Sequence, residues 1–548
     1  MNLIENKLKT IIIEAIDKTF SYQVNMDDVV IEIPKDKLHG DYATNIAMRL
    51  AKQLKQKPMD IANALLPMFL NNSDFITNVE IAGPGFINFT LCNERLADII
   101  TVVLKAQDDY GRSDSGKHVR VNLEYVSANP TGDLHPGHAR GAAMGDSVAR
   151  LMRFAGFDVT SEYYVNDAGN QINNMALSLQ ARYFQRCGVD TPIPDDGYNG
   201  PDLIAIADKL YLEEGSKYLS IDKEESLPFF RSYGLQEELN KLKSDLELFR
   251  VKYDVWTSEQ SIYDRDLVAK VVQKLKDADM TYEFEDALWL KTTLFGDDKD
   301  RVIVRSNGLY TYLTPDIAYH IDKFERGFDR LVDFLGADHH GYINRLKAGV
   351  LALGYNKDQI EIDIIQMARM IKDGAEFKMS KRTGKAVALK DLIEEAGVDA
   401  VRYYFANRAA DTHMDFDLDM AVKQANDNPV YYAQYAHARV CSILRSGKDY
   451  PTASFYDGLN HPKEIDLLKH INEFPVVVSD AAITRQPHKI CNYIQKLASM
   501  FHSFYGECKV LDEDNVVLSQ QRLALVSAVK ITLKNALNLI GVDAPERM

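Results

Sequence analysis

The stretch HVRVNLEYVSANPTGDLHPGHARGAAMGDSVARLMRFAG, His118 to Gly156, decides the fold. It opens on a β-branched run, HVRVNLEYVS, whose polar interruptions still permit a strand entering a sheet. It closes on GAAMGDSVARLMRFAG, a helix stopped by Gly156. Between them His135 and His138 face each other across a Pro-Gly turn. Pro136 restrains that turn, and Gly137 lets the backbone approach a phosphate without a Cβ in the way. Unpaired N–H groups at the start of the following helix add partial positive charge. Imidazoles placed there donate to phosphate oxygens whose charge grows as an α-phosphorus is attacked, which is differential binding of a transition state. Four residues match easily by chance, so two polar side chains in a solvated turn remain the plain alternative. Metal binding is disfavoured, since no H-E-x-x-H frame or third nearby ligand accompanies the pair.

Downstream, FDVTSEYYVND is a second strand and AGNQINNMALSLQARYFQRC the next helix. Strand, helix, strand, helix is a doubly wound α/β start, whose ligands sit beyond the carboxyl ends of the strands. A charged helical insertion around Ala205 to Lys276 is expected to split this domain. The sheet pattern is expected to resume with DRVIVRSNGLYTYLTPDIAYHIDKF and RLVDFLGADHHGY. Upstream, to about Asp114, DDVVIEIP and NVEIAGPGFINFTL predict strands. DYATNIAMRLAKQLKQ predicts an amphipathic helix with Ala43, Ile46, Ala47 and Leu50 on one side, and Asp108 to Lys117 a linker. From about Asp399 onward helical periodicity dominates. The expected architecture is therefore α/β plus α: an N-terminal α+β domain over 1–114, a Rossmann-like parallel-sheet catalytic domain over 115–398, and a helical bundle over 399–548.

Composition sets outer bounds. A chain of 548 residues exceeds one hydrophobic core. A net charge of −16 argues against nonspecific coating of nucleic acid, although screening leaves room for a local basic groove. Five scattered cysteines with no C-x-x-C pair disfavour structural zinc and a disulfide framework. No secretion signal or uncharged membrane-length run stands out, which makes the cytoplasm the expected compartment.

The histidine pair needs a second signal, and EFKMSKRTGK, Glu376 to Lys385, supplies one. Lys378, Lys381, Arg382 and Lys385 crowd onto a glycine-containing segment able to neutralise a triphosphate as pyrophosphate departs. A basic surface loop is the competing explanation. No P-loop frame and no G-x-G-x-x-G follows the first strand, which turns the reading away from P-loop ATPases and dinucleotide oxidoreductases.

The ordered pair HPGH and KMSK on an α/β domain resembles a class I aminoacyl-tRNA synthetase. More specifically, EYVSANPTGDLHPGH, YYVNDAGNQI, TYLTPDIAYH, GADHHGY, KMSKRTG, DAVRYYFANR, NPVYYAQYAHAR and APERM resemble arginyl-tRNA synthetases along essentially the whole chain. Proline stands second in the first signature where many relatives carry isoleucine or valine. The resemblance implies ATP-dependent ligation of L-arginine to tRNA(Arg) through an arginyl-adenylate, with Mg²⁺ carried on ATP and tRNA needed for activation. It implies catalytic roles for His135, His138, Lys378 and Lys381, and an ATP site completed by Gly137, Asp338, His339, Met379 and Ser380. It also implies that Glu124, Asn129, Tyr312 and Asp316 handle arginine.

A planar, permanently charged guanidinium calls for carboxylates and oriented acceptors, which fits that set chemically. Thr314 is a candidate N-cap and Pro315 stands at N1 of the next helix, so Asp316 also reads as an acid opposing the helix dipole. Tyr312 reads equally as core or as sheet surface. Asn166, Asp167 and Gln171 line the site or cap a helix, and Asp338 with His339 sits loosely on the adenosine side.

For RNA, Tyr432 and Tyr435 share a helical face with Arg439 one turn beyond, suited to stacking on unpaired bases or to packing in a core. The resemblance favours Tyr432, Tyr435 and Met548 as an anticodon-loop site, which a C-terminal tag would block. Phe86 and Asn88 share a strand face suited to an extruded base of the tRNA elbow, or to a local core. A monomer is expected, with no membrane partner. Another class I synthetase and a catalytically silent tRNA-binding protein are the rival readings. Intact histidines and lysines argue against the second.

Overall fold

The computed structural model describes residues 3–34, 39–377 and 387–548. At its centre lies a five-stranded, all-parallel sheet in the order Ile360–Ile365, Arg330–Gly336, Arg120–Glu124, Asp158–Val165, Val255–Ser258. The chain starts in the middle, moves outward through Asp158–Val165 and Val255–Ser258, then crosses back to Arg330–Gly336. The order therefore reverses between Arg120–Glu124 and Arg330–Gly336, and a crevice opens beyond their carboxyl ends. Loops leaving both strands meet there.

Helix Pro136–Phe154 packs against this sheet with every residue from Ala139 to Ala149 buried. Its small residues permit the close approach. A Cβ on Gly145 would stand 2.2 Å from the Tyr125 ring, so a larger residue there would push the helix off the strand end. Gly156 then ends the helix region with φ +87°, a conformation that costs other residues strain.

Several sequence expectations require correction. The span Ala205 to Lys276 is not a pure insertion, because it contains the third parallel strand, Val255–Ser258. Helices Pro201–Glu214 and Lys223–Leu248 within it build their own core against Asn170–Arg186. DRVIV does not rejoin the parallel sheet. Its strand Arg301–Val304 belongs to a separate antiparallel sheet with Ala287–Leu290 and Thr281–Phe284, since hairpin connections cannot supply parallel pairing. Parallel order resumes only at Arg330.

The N-terminal domain is an antiparallel sheet, ordered Ile31–Glu32, Tyr42–Thr44, Phe86–Leu91, Ile76–Ala82, covered by helices. Ala43 lies in the second of these strands and not on helix Ile46–Leu54. Ile87 and Phe89 point into the core formed with Leu8, Ile12, Leu65 and Phe69. The segment expected as a linker is pinned: the Tyr110 hydroxyl donates to the Ile471 carbonyl at 2.7 Å, and the Tyr110 ring lies 5.8 Å from that of Phe474. Apolar contact overrides its polar composition.

The C-terminal part is a bundle of helices Pro429–Ser446, Pro462–Ile483, His488–Glu507 and Val516–Leu539. Val516–Leu539 is long and apolar enough to cross a membrane by composition, but much of it is buried inside this bundle. On the bundle side of the expected boundary at 398/399, strand Met414–Asp417 pairs in parallel with Ala368–Lys372 of the catalytic part. Helix Leu389–Ala406 runs across that boundary and is broken at Gly397, φ +80°.

Candidate active site

A cavity of about 770 Å³ occupies the reversal point of the sheet. The histidine loop lines one side with Asn129, Gly132, His135, Gly137 and His138, while Gly336, Asp338 and His339 line the other.

The histidine turn holds itself in place. His135 is the N-cap of helix Pro136–Phe154, and its Nδ1 accepts from the backbone N–H groups of Gly137, at 3.0 Å, and His138, at 3.3 Å. His138 Nδ1 reciprocates by accepting from the His135 N–H at 3.4 Å, and the rings stack with centroids 3.6 Å apart. A neutral imidazole that accepts at Nδ1 carries its proton at Nε2. Both histidines are thereby set as Nε2–H donors. Burial depresses the basicity of each, most strongly for His138, which falls to about 4 through burial and then the neighbouring His135; the Asp338 carboxylate opposes this in both. The rings are neutral at pH 7, so they donate without needing a charge. Arg140, one turn on, locks the helix to the far wall of the cavity by donating to the carbonyls of Gln366 at 2.6 Å, Ala409 at 2.8 Å and Thr412 at 2.9 Å.

Lys378, Met379, Ser380 and Lys381 lie outside the described residues. Both flanks of their segment are anchored beside the histidines. On one side, Phe377 closes a hairpin by donating its N–H to the Met370 carbonyl at 2.9 Å, and that hairpin leads back to Gln366 and Met367 in the cavity wall. On the other, the Leu389 N–H donates to the carbonyl of Leu134, at 2.6 Å, immediately before His135.

Carboxylates gather behind the cavity. Glu124, at the end of the central strand, is buried; its Oε1 accepts from Ser127 Oγ at 2.9 Å and its Oε2 from Lys323 Nζ at 2.6 Å. Asp316 lies in the first turn of helix Leu313–Glu325 and accepts from the Tyr342 hydroxyl. Burial raises its carboxyl to about 6; the Tyr342 bond and nearby His320 oppose this, and Glu124 adds to it. A third acid, Glu259, is raised to about 7, first by burial and then by Asp316 and Asp167. Glu259 opens helix Glu259–Asp264 at the carboxyl end of strand Val255–Ser258. Acids on different elements thus share one low-dielectric region, where bringing like charges together is costly and a bound cation relieves the cost.

Asn129 donates to Gln171 Oε1 at 2.9 Å and lines the cavity. Asn166 reaches the Ser127 carbonyl at 3.3 Å, and Asp167 accepts from the Gln260 N–H at 2.9 Å. These three residues brace loops and do not cap helix Asn170–Arg186, whose N-cap is Gly169. Nor is Thr314 an N-cap or Pro315 the first helical residue, which is Leu313. Tyr312 takes the N-cap position, while the Thr314 hydroxyl donates to the Ile303 carbonyl at 2.6 Å, tying the helix to the small sheet. Tyr312 is 83% exposed.

Chain-wide similarity agrees with this layout. Residues 99–442 match the model of tRNA synthetases class I (R), catalytic domain; 6–91 match the arginyl tRNA synthetase N terminal domain, and 433–548 the DALR anticodon binding domain. The chain is 52% identical over 551 residues to the arginine–tRNA ligase of Bacillus subtilis (strain 168), covering 100% of this chain and 99% of that one. It is 54% identical over 525 residues to arginine–tRNA ligase 1 of Halalkalibacterium halodurans, covering 95% and 94%. The chain belongs to the arginyl-tRNA synthetase family. The arginyl-tRNA synthetase structure from Thermus thermophilus shares its fold with TM-score 0.76 at 22% identity, each chain covered completely.

In this arginyl-tRNA synthetase fold the candidate RNA residues form two separate surfaces. On helix Pro429–Ser446 the Tyr431 and Tyr435 rings are near-parallel at 6.1 Å, and His502 packs against Tyr432 at 5.1 Å and Tyr435 at 6.0 Å. The Arg439 guanidinium lies 4.9 Å over the Tyr505 ring. The C-terminal tail is tied to the same helix: His437 Nδ1 meets the Pro545 carbonyl at 2.9 Å, and Arg445 donates to the Glu546 carbonyl at 3.1 Å. Met548 ends exposed beside it. Far from there, Phe86 is half-buried and Asn88 is buried on the face of their strand opposite the Ile87–Phe89 core. Sequence reasoning missed Glu259, Tyr342, Lys323, His502 and Tyr505. Only the Ser258-Glu259 pair carried a local signal, that of a helix start.

Proposed function

We infer that the histidine turn and the carboxylates behind it form one site that activates arginine with ATP and passes it to tRNA(Arg). The overall reaction is ATP-dependent ligation of arginine to tRNA, the activity of the family to which the chain belongs. Arginine's carboxylate attacks the α-phosphorus of ATP, which is carried with Mg²⁺, to give arginyl-adenylate and pyrophosphate. The terminal ribose hydroxyl of tRNA then attacks the acyl carbon and releases AMP. Neither step requires a protein nucleophile, so positioning and charge stabilisation suffice.

His135 and His138 donate from Nε2 to the phosphate oxygens as negative charge builds, and Gly137 gives the phosphate room. Asp338 and His339 border the nucleotide. Lys378 and Lys381, with Met379 and Ser380, serve the departing pyrophosphate, a reading supported by the anchoring of both flanks beside the histidines. Glu124, Asn129 and Asp316 receive the guanidinium and α-amino group, with Tyr312 covering the mouth of the pocket. Tyr432, Tyr435, Arg439 and Met548 read the anticodon loop, and Phe86 with Asn88 meets the tRNA elbow. Activation depends on bound tRNA, the protein works as a monomer, and its compartment is the cytoplasm.

The observation that carries this reading is the pair of neutral imidazoles preset as donors at the sheet reversal, in front of buried acids. The test is amino-acid-dependent pyrophosphate exchange with saturating cognate tRNAs, comparing arginine, lysine, glutamine and cysteine. Exchange with arginine alone is the expected result, and preference for another amino acid would overturn it.

A further inference from the structure

Lys323 is a fully enclosed cation near the site, with none of its side chain exposed. It lies on helix Leu313–Glu325, seven residues after Asp316 and therefore on the same face. Its ammonium donates to Glu124 Oε2 at 2.6 Å and to Asp333 Oδ1 at 3.1 Å, and sits 4.3 Å from the centre of the Tyr319 ring. Burial works against its charge, but Asp333, Glu124 and Glu162 outweigh burial and hold it protonated. No substrate can reach it. Whatever Lys323 does, it does through its partners.

The second partner is fixed as firmly as the first. Asp333 Oδ2 lies 2.8 Å from His320 Nε2, while His320 Nδ1 lies 2.7 Å from the Asp316 carbonyl. Both ring nitrogens face acceptors, which only the imidazolium satisfies, and Asp333 raises the basicity of His320 against the effect of burial. The chain Glu124–Lys323–Asp333–His320 thus links the Glu124 carboxylate to the backbone carbonyl of Asp316.

We propose that Lys323 is a positioning residue for arginine, clamping the Glu124 carboxyl group in one orientation that leaves its remaining lone pairs to the amino acid. This rests on the reading of Glu124 as an arginine ligand. A carboxylate offers about four lone-pair positions. Lys323 and Ser127 occupy one on each oxygen and leave the others to a planar fork of donors. Without the clamp the carboxylate is free to turn, which removes an oriented acceptor.

The experiment compares E124Q, K323M and E124Q/K323M by tRNA charging and by calorimetric titration with arginine. K323M is expected to raise the arginine KM and Kd about tenfold or more, as expected for a broken charge-assisted bond, with ATP KM within about twofold of the parent. The double variant is expected to match E124Q, because the clamp reaches arginine through Glu124 and not through Asp333. K323R, which keeps the charge, is expected to recover part of the loss. Should K323M be too unstable to assay, E124Q/K323M, which removes both members of the pair, takes its place: an arginine KM equal to that of E124Q supports the clamp and a higher one overturns it. Parallel losses toward arginine and ATP in K323M overturn it as well. An arginine-deficient E124Q beside a normal K323M rejects the clamp alone, whereas a normal E124Q removes the reading of Glu124 beneath it.

Discussion

The two halves of the site are held in opposite ways. The histidine turn is local: within four residues, His135 and His138 cap one helix, order each other and fix both protons at Nε2. The acid half is distributed, with Glu124, Asp316 and Glu259 delivered by three elements and held by Lys323, Tyr342 and burial. A local device survives changes elsewhere in the fold. A distributed one is only as good as the packing that assembles it; in the function proposed above, phosphate chemistry rests on the short motif and amino-acid choice on the tertiary structure.

The sharpest way to break this comparison is to strike the phosphate half alone. His138→Ala and Lys381→Ala are each expected to lower arginine-dependent pyrophosphate exchange about 100- to 1000-fold, with arginine affinity little changed. Unchanged exchange under saturating tRNA would remove these residues from the chemistry. An equal loss of arginine binding would show the halves are not separable.

Next in size is the acid half. Asp316→Asn is expected to lower kcat/KM for arginine about 30-fold or more, the usual cost of unpairing a desolvated charge. Its carboxyl titrates near 6 because burial disfavours the anion, so arginine KM is expected to rise as pH falls through that value and the attraction for the guanidinium is lost. In Asp316→Asn the arginine KM should be high throughout and lack this inflection. An unaltered pH profile would assign the titration elsewhere.

A smaller effect is expected where neither half is touched. Tyr435→Ala should raise the KM for tRNA about tenfold, in line with one lost base–aromatic stack, and leave tRNA-saturated turnover intact. A fall in kcat alone would place Tyr435 in the bundle's packing. Smallest of all, Tyr110→Phe removes one buried hydrogen bond between the interdomain segment and the Ile471 carbonyl. It should cost about 1 kcal/mol in denaturant unfolding, with charging unaffected. A much larger loss would mean that removing the hydroxyl also loosens the packing of the Tyr110 ring on Phe474.

Legibility followed the same division. The strand before the histidines, helix Asn170–Arg186, the hairpin Ile76–Leu91 and the long bundle helices could be read because each repeats its pattern over many residues. Strand Val255–Ser258 was hidden inside a charged helical stretch because it is short and only half-buried. Thr314 has the composition of an N-cap, yet a carbonyl from a neighbouring strand claims its hydroxyl. Glu124 and Asp316 were placed through family motifs, since no spacing connects residues so far apart in the chain.

The amino-acid sequence by itself determined the self-capping histidine turn, the doubly wound beginning of the sheet and the helical end of the chain, because those interactions lie within a few residues of one another. Only the tertiary structure decided that Lys323 bonds to Glu124, that Glu259 feels the charge of Asp316, and that one flank of the lysine segment bonds to Leu134 beside His135 while the other closes a hairpin at Met370. The physical reason is range. Capping and periodicity act along the chain, whereas charge pairing and burial act across space once folding has brought distant residues into one low-dielectric region.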